Sequence, residues 1–80
     1  MTPSEATALV VRLLGEIAPD TDPSSLAGDA DLQRSLDLDS MDIVNLVAAL
    51  SEETGREIPD RDARALRTLD RWSAYLAAAS

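Results

Sequence analysis

The sequence predicts an all-α domain: a small up-down bundle of three main helices plus one short helix, with a long loop after the first helix. Apolar residues make up 45% of the 80 residues, which is enough for one packed domain. The aromatic residues are one Trp and one Tyr, so the core is aliphatic and alanine-rich, which favours helices over strands. Apolar side chains also recur at helical spacing in several segments.

The first helix is predicted over residues 3–18. Thr2 and Glu5 have the spacing of a capping box, and Pro3 takes the first helical position. The apolar residues that follow form one stripe at helical spacing, namely Ala6, Leu9, Val10, Leu13, Leu14 and Ile17. Because the residue before a proline avoids the helical conformation, Pro19 predicts the end of this helix. We expect it to be a core helix.

Residues 19–39 have no sustained periodicity and are predicted to form a long loop. Turn-forming residues are frequent in it: Asp20, Asp22, Pro23, Ser24, Ser25 and Gly28. Loops longer than about 15 residues are unusual in compact domains. Four leucines are spaced so that they can pin this loop to the core, namely Leu26, Leu32, Leu36 and Leu38. Residues 31–36 could form one turn of helix.

The second helix is predicted over residues 40–54, with Gly55 as its stop. Asp39 is a favourable N-cap, and Asp42, three residues later, repeats the capping pattern and suits the positive end of the helix dipole. Ser40 is therefore expected to be the first helical residue, with its hydroxyl facing solvent. A phosphate ester there would lie where N–H groups and the dipole favour negative charge.

Two apolar stripes run along this second helix. One consists of Ile43, Leu46, Val47 and Leu50 and is expected to face the core. The other consists of Met41, Val44 and Ala48 and lies roughly opposite. An 80-residue domain has little material with which to bury a helix on all sides. We therefore expect the second stripe to be open and to bind partners; the alternative is that it packs under the long loop.

Two further helices are predicted towards the end of the sequence. A short third helix spans residues 61–66, with Asp60 as its cap. The last helix spans residues 69–78 and is capped by Thr68. Its apolar stripe consists of Leu69, Trp72, Leu76 and Ala79, with Tyr75 beside it.

Charge and composition exclude several functions. The net charge of −8 disfavours nucleic acid and acidic membranes and suits basic partners. His, Cys and Lys are absent, which removes the usual general base, the thiol nucleophile, the Schiff-base amine and the soft metal ligands. We therefore expect no enzyme activity. No apolar run approaches the length of a membrane span, and the lack of cysteine fits a cytoplasmic protein, expected to be a monomer.

Aspartates at positions 29, 31, 37, 39 and 42 raise the question of a calcium site. Calcium loops of the EF-hand type need acids at alternate positions followed by glycine at the sixth, and this register is missing. We expect these carboxylates to be solvated and the protein to have no dedicated metal site.

The run Leu36-Asp37-Leu38-Asp39-Ser40-Met41-Asp42 resembles the attachment motif of acyl carrier proteins, in which a serine after an aspartate carries a 4′-phosphopantetheine arm. The similarity covers most of the chain and is best from about residue 36 to residue 69. It implies that a phosphopantetheinyl transferase transfers the arm from coenzyme A to Ser40. It also implies that Asp39 helps that enzyme position its metal ion and coenzyme A, besides capping the helix.

The resemblance further implies that acyl groups are held as thioesters and exchanged with loading and using enzymes, such as a ligase, a ketosynthase or an acyltransferase. The expected partner-binding residues are Met41, Asp42, Val44, Asn45, Ala48 and Glu52. An acyl chain is expected to slip between helices at Leu46, Val47, Leu50 and Leu69.

Three positions depart from the family pattern. Asp37 stands where relatives usually have glycine, and Asn45 and Ser51 replace positions that are often glutamate in carriers of fatty acid synthesis. These departures favour a stand-alone carrier of a specialised lipid, polyketide or other secondary-metabolic pathway. Two alternatives stay open: a peptidyl or aminoacyl carrier of a nonribosomal pathway, and an unmodified helical adaptor that binds partners through the second helix.

Overall fold

The structure, a computed structural model, describes residues 1–78. Over that range the chain forms five α-helices and no strand, so the all-α prediction is confirmed. The helices are α1 (Pro3–Ile17), α2 (Leu32–Ser35), α3 (Ser40–Thr54), α4 (Asp60–Ala65) and α5 (Leu69–Ala78), and a short 3-10 helix covers Pro23–Ser25. Ala79, assigned to the stripe of the last helix, lies outside the described residues.

Helix α1 begins with the predicted capping box. The N–H of Thr2 donates to Glu5 Oε1 at 2.8 Å, and the N–H of Glu5 donates to Thr2 Oγ1 at 3.1 Å. The helix ends at Ile17, one residue earlier than predicted. Ala18 has φ −127° and ψ 74°, outside the helical region, because it precedes Pro19.

The segment between α1 and α3 has more structure than the predicted loop of residues 19–39. It contains the 3-10 helix and α2, and main-chain hydrogen bonds connect it to Arg67, just before α5, and to Asp70 in the first turn of α5. The N–H of Leu32 donates to the carbonyl of Arg67 at 2.8 Å, and the N–H of Asp70 donates to the carbonyl of Gly28 at 3.0 Å. The pinning role expected of the leucines is seen as well: three of them, Leu32, Leu36 and Leu38, are buried in the core.

Helix α2 ends in a tight turn that leads directly into α3. Asp37 has φ 54°, the left-handed conformation that glycine adopts most easily. The N–H of Leu38 donates back to the carbonyl of Gln33 at 2.9 Å, which is the bond of a Schellman motif. The aspartate at this position therefore adopts the left-handed turn conformation itself, with no glycine to supply it.

Helix α4 lies one residue earlier than the predicted 61–66, and Asp60 is inside it instead of capping it. Pro59 takes the cap position because its ring presets φ, here −63°, and its carbonyl accepts from the N–H groups of Asp62 and Ala63. Helix α5 begins as predicted, since Thr68 Oγ1 accepts from the N–H of Arg71 at 3.1 Å.

The core lies where α1 packs against α5 and α3. Its largest fully buried side chains are Trp72, Leu14, Leu32, Leu46, Leu50, Leu76 and Val10. A hydrogen bond between the hydroxyls of Thr7 and Ser73 joins α1 to α5, and Ser73 Oγ in turn donates to the carbonyl of Leu69. Among residues 1–78, no helix is both long enough and apolar enough to pass through a bilayer.

Candidate functional site

Ser40 is the first residue of α3, and its side chain is exposed. Its position is fixed by a reciprocal capping box. Asp39 Oδ1 accepts from the N–H of Asp42 at 2.8 Å, and Asp42 Oδ2 accepts from the N–H of Asp39 at 3.2 Å. The first N–H groups of a helix have no partner within it, so those of Ser40 and Met41 are free to meet an anion. The hydroxyl therefore stands at the N-terminal end of a capped helix, beside main-chain N–H groups that can bind an anion.

A groove of about 700 Å³ opens beside Ser40, and we call it the Ser40 groove. Its walls come from α3, from α4 with the residues that follow it, and from α2 with its cap. The lining residues are Asp31, Leu32, Gln33, Ser40, Ile43, Val44, Val47, Ala48, Asp60, Ala63, Arg64, Leu66 and Arg67. A space of this size can hold a small organic molecule or a short chain.

Asp31 and Arg67 join two walls of the groove. Arg67 Nε lies 2.8 Å from Asp31 Oδ2, and the same carboxylate caps α2 through Oδ1, which accepts from the N–H of Arg34 at 3.1 Å. The main-chain donor at Arg34 and, after it, the guanidinium of Arg67 hold the pKa of Asp31 below its usual value. Asp31 is therefore charged at neutral pH and fixes the groove wall.

Helix α3 presents three different faces. Successive residues are rotated by about 100° around the helix axis, so neighbouring side chains point to different surroundings. Leu46 and Leu50 are completely buried in the core. Ile43 and Val47, which were expected on the same core face, are half-buried and line the Ser40 groove. The third face, which we call the outer face, is exposed and consists of Met41, Val44, Asn45, Ala48 and Glu52. Val44 and Ala48 also line the Ser40 groove, so the outer face and the groove adjoin.

The expected partner-binding residues are therefore brought together, with one exception. Met41 and Val44 are 62% and 58% exposed, so the stripe is not covered by the long loop. Asp42 is half-buried, and its carboxylate is occupied by the capping bond to the N–H of Asp39. The role of Asp42 in this region is therefore to hold the start of α3.

The expected acyl-lining residues are separated by the structure. Val47 lines the Ser40 groove, whereas Leu46, Leu50 and Leu69 do not and are buried in the core. A helical stripe tells which residues point inwards, but not which neighbour they meet. The groove residues from α2 and α4 were missed by the sequence analysis. The spacing of Asp60, Ala63 and Arg64 at i, i+3 and i+4, on one face of α4, is the signal that could have indicated the α4 side.

Across residues 1–78 no group of three or more acidic, histidine or cysteine side chains is arranged to hold a metal ion. The aspartates considered for calcium have other surroundings: Asp31 is paired with Arg67, and Asp39 and Asp42 cap α3.

Comparison with known proteins points to one family. Residues 6–76 match the family described as "Phosphopantetheine attachment site". The chain is 40% identical to an acyl carrier protein of Bdellovibrio bacteriovorus over 68 residues, covering 85% of this chain and 81% of that protein. It is 36% identical to an acyl carrier protein of Syntrophobacter fumaroxidans over 75 residues, covering 91% and 93%.

The match to mitochondrial relatives spans about half of their length. The chain is 42% identical to acyl carrier protein 2, mitochondrial, of Arabidopsis thaliana, over 84% of this chain and 52% of that protein. Among solved structures, the acyl carrier protein from Enterococcus faecalis matches with a TM-score of 0.75 and 24% identity over the whole of both chains. This structural likeness supports the fold.

Proposed function

The chain belongs to the phosphopantetheine-attachment family of acyl carrier proteins, and from this premise we propose that Ser40 is the residue that carries the 4′-phosphopantetheine arm. Members of this family are carriers, not catalysts, and hold the arm covalently. The observation that supports Ser40 is its location. It is the exposed first residue of α3, directly after Asp39, and within residues 1–78 it is the serine that lines the groove.

The residues around Ser40 suit a phosphate ester. The first N–H groups of α3 and its dipole stabilise negative charge at the hydroxyl. Asp39 and Asp42 direct their carboxylates to main-chain N–H groups, so the start of the helix is held without a side chain over the serine. The arm supplies a thiol that holds acyl groups as thioesters. Ser40 itself needs no activation, because a separate transferase provides the catalysis.

The Ser40 groove is the proposed shelter for the acyl group. Its floor is formed by apolar side chains from three elements: Ile43 and Val47 of α3, Ala63 of α4, Leu32 of α2, and Leu66 after α4. Burying apolar area there stabilises an acyl chain by about 25 cal/mol per Å². Of the residues proposed from the sequence for this role, Val47 keeps it, and the groove residues of α2 and α4 complete the lining.

The outer face of α3 is the proposed docking surface for the transferase and for enzymes that load or use the acyl group. Met41 and Val44 supply exposed apolar area, and Glu52 supplies negative charge beside it. Between residues 35 and 55 there are five acids and no base, which would attract a basic partner before the apolar contact forms.

We further propose a specialised lipid, polyketide or other secondary-metabolic pathway in place of housekeeping fatty acid synthesis. Asn45 lies on the outer face, where carriers of fatty acid synthesis often have glutamate, so the docking surface is less acidic. A peptidyl or aminoacyl carrier is the alternative within the same attachment chemistry. A cytoplasmic location stays a prediction.

Intact-protein mass spectrometry tests the attachment site. The unmodified protein is incubated with coenzyme A and a broad-specificity phosphopantetheinyl transferase. We expect a gain of one arm, which Ser40→Ala abolishes. Ser4→Ala is the matched control, because Ser4 is also exposed in the first turn of a helix. A gain that persists in Ser40→Ala contradicts the assignment. No gain with any transferase instead supports an unmodified adaptor, a function that the exposed Met41 and Val44 would also serve.

A further inference from the structure

We propose that the Ser40 groove selects acyl groups that end in a carboxylate, through the guanidinium of Arg64. This inference rests on the proposed function, because it assumes that the acyl group reaches the groove from an arm on Ser40. The class of cargo is a dicarboxylic acid bound as a thioester at one end, with a short apolar stem and a free carboxylate at the other end.

The first step concerns the charges of the groove. Asp31, Asp60, Arg64 and Arg67 are its charged lining residues. Arg67 is already paired with Asp31 at 2.8 Å, and Asp60 lies in the first turn of α4, where the helix dipole favours a carboxylate. The ion pairs of residues 1–78 do not include Arg64, whose side chain is exposed. Arg64 is therefore the cation of the groove that is free to meet a ligand.

The second step concerns the rest of the surface near Ser40. Residues 35–55 carry acids and no base, and the net charge of the protein is −8. An anionic acyl group is therefore disfavoured near the acids of α3 and near Asp60, and Arg64 is the lining residue of α4 that can attract it. A planar guanidinium can bind a carboxylate through two parallel hydrogen bonds, which makes this group more selective than an ammonium would be.

The third step concerns the cargo that the groove would reject. A purely alkyl chain long enough to cover Arg64 would remove water from the guanidinium without giving it a partner, which is unfavourable. An acyl chain with an apolar stem and a terminal carboxylate can contact both the apolar lining residues and the guanidinium of Arg64. The phosphate of the arm is bonded to Ser40 itself and lies at the start of α3, where the first N–H groups of that helix receive it.

The test compares two acyl groups of equal length on the full chain. A broad-specificity transferase loads Ser40 from glutaryl-coenzyme A or from pentanoyl-coenzyme A, and mass spectrometry confirms each product. We expect the NMR signal of the Arg64 side-chain Nε–H to shift in the glutaryl form and not in the pentanoyl form or in the form with the unacylated arm. We also expect Arg64→Gln to accelerate cleavage of the glutaryl thioester by hydroxylamine about threefold, the scale of an exposed ion pair.

Arg61→Gln is the matched control, because Arg61 is an exposed arginine of the same helix that does not line the groove. Arg64→Lys keeps the charge without the two-pronged geometry and should give an intermediate rate. An equal Arg64 shift in all three loaded forms would assign the guanidinium to the arm's phosphate and overturn the inference, as would equal cleavage rates in Arg64→Gln and Arg61→Gln. Failure to gain any arm would instead overturn the proposed function.

Discussion

Two aspartates at the turn before α3 have different physical roles. Asp37 allows the turn, since its φ of 54° lets the chain leave α2 and enter α3. Asp39 fixes the start of α3, since its carboxylate accepts from the N–H of Asp42. Asp37 was expected to change the turn because the resemblance implies glycine at this position, yet it adopts the left-handed conformation itself, and aspartate is one of the few residues that tolerate φ above zero.

Replacing Asp37 tests this backbone conformation. We expect Asp37→Gly to raise the free energy of unfolding by about 0.5 kcal/mol, because glycine adopts the left-handed region without a steric penalty, and Asp37→Val to lower it by about 1–2 kcal/mol. Urea denaturation measures both. The same replacements at Asp29, an exposed residue whose φ is not positive, are the control, and there glycine should not stabilise. A loss of stability in Asp37→Gly would contradict the strain argument.

Replacing Asp39 separates capping from enzyme recognition. Asp39→Ala removes the acceptor for the N–H of Asp42 and should lower the free energy of unfolding by about 1 kcal/mol. Asp39→Asn keeps an oxygen acceptor and should be nearly as stable as the wild type. If Asp39 also helps the transferase place its metal ion, the Asn variant will gain the arm more slowly, as followed by mass spectrometry. Equal loading rates would leave capping as its role.

At the scale of one element, α3 combines structure and function on different faces. Leu46 and Leu50 hold it to the core, Ile43 and Val47 line the groove, and the outer face is open to solvent. Because these faces share one rigid helix, the position of Ser40 is fixed relative to both the groove and the docking surface.

Changing one residue of the outer face tests whether that face is a docking surface. We expect Val44→Glu to leave the free energy of unfolding within about 0.5 kcal/mol, because the side chain is 58% exposed, and to slow loading by the transferase. Leu46→Ala, on the buried face, should cost about 2–5 kcal/mol. Ala74→Glu, an exposed site on α5, controls for the added charge. Unfolding of Val44→Glu, or unchanged loading, would show that the docking surface lies elsewhere.

At the scale of the whole molecule, two long-range main-chain hydrogen bonds and one ion pair fix the position of the first loop. Main-chain bonds link Leu32 to Arg67 and Asp70 to Gly28, and the Asp31–Arg67 ion pair adds a side-chain link at the same place. One wall of the groove thus depends on contacts between parts of the chain that are far apart in sequence.

The pH dependence of stability tests the ion pair. The folded-state pKa of Asp31 is lowered, chiefly by the N–H of Arg34 and then by Arg67, so its contribution is present above the usual value of 3.8 and is lost as the pH falls through the lower folded pKa. Urea denaturation of the wild type and Asp31→Asn should therefore differ most above about pH 4 and converge at lower pH. Asp29→Asn controls for removing one charge. If the difference in the free energy of unfolding between the wild type and Asp31→Asn did not change with pH, the lowered pKa of Asp31 would be contradicted.

The sequence allowed the local features to be predicted and left the long-range ones open. Capping boxes at Thr2 and Asp39, the stop at Gly55, the stripe of α1 and the open stripe of α3 follow from neighbouring residues, so they could be predicted from the order of side chains. The core stripe of α3 was right for Leu46 and Leu50, whereas Ile43 and Val47 line the groove. The ties of the first loop use main-chain atoms of Leu32 and Arg67, for which no side chain gives a signal. The groove was not located from the sequence: of the four residues expected to line an acyl site, Val47 borders it, and its α2 and α4 walls were not predicted.

The two main-chain bonds that join the first loop to Arg67 and Asp70, at the start of α5, have one more consequence. Both bonds use main-chain atoms, so at Leu32 and Asp70 only a change to proline takes away the amide donor. Gly28 is the exception on the acceptor side, because a Cβ there would clash with the side chain of Asp70. These two main-chain bonds, which hold the first loop beside the groove, therefore do not depend on the side chains that line the groove. A fold built in this way can change the chemistry of its groove at exposed lining positions such as Gln33 or Arg64 while its scaffold stays intact.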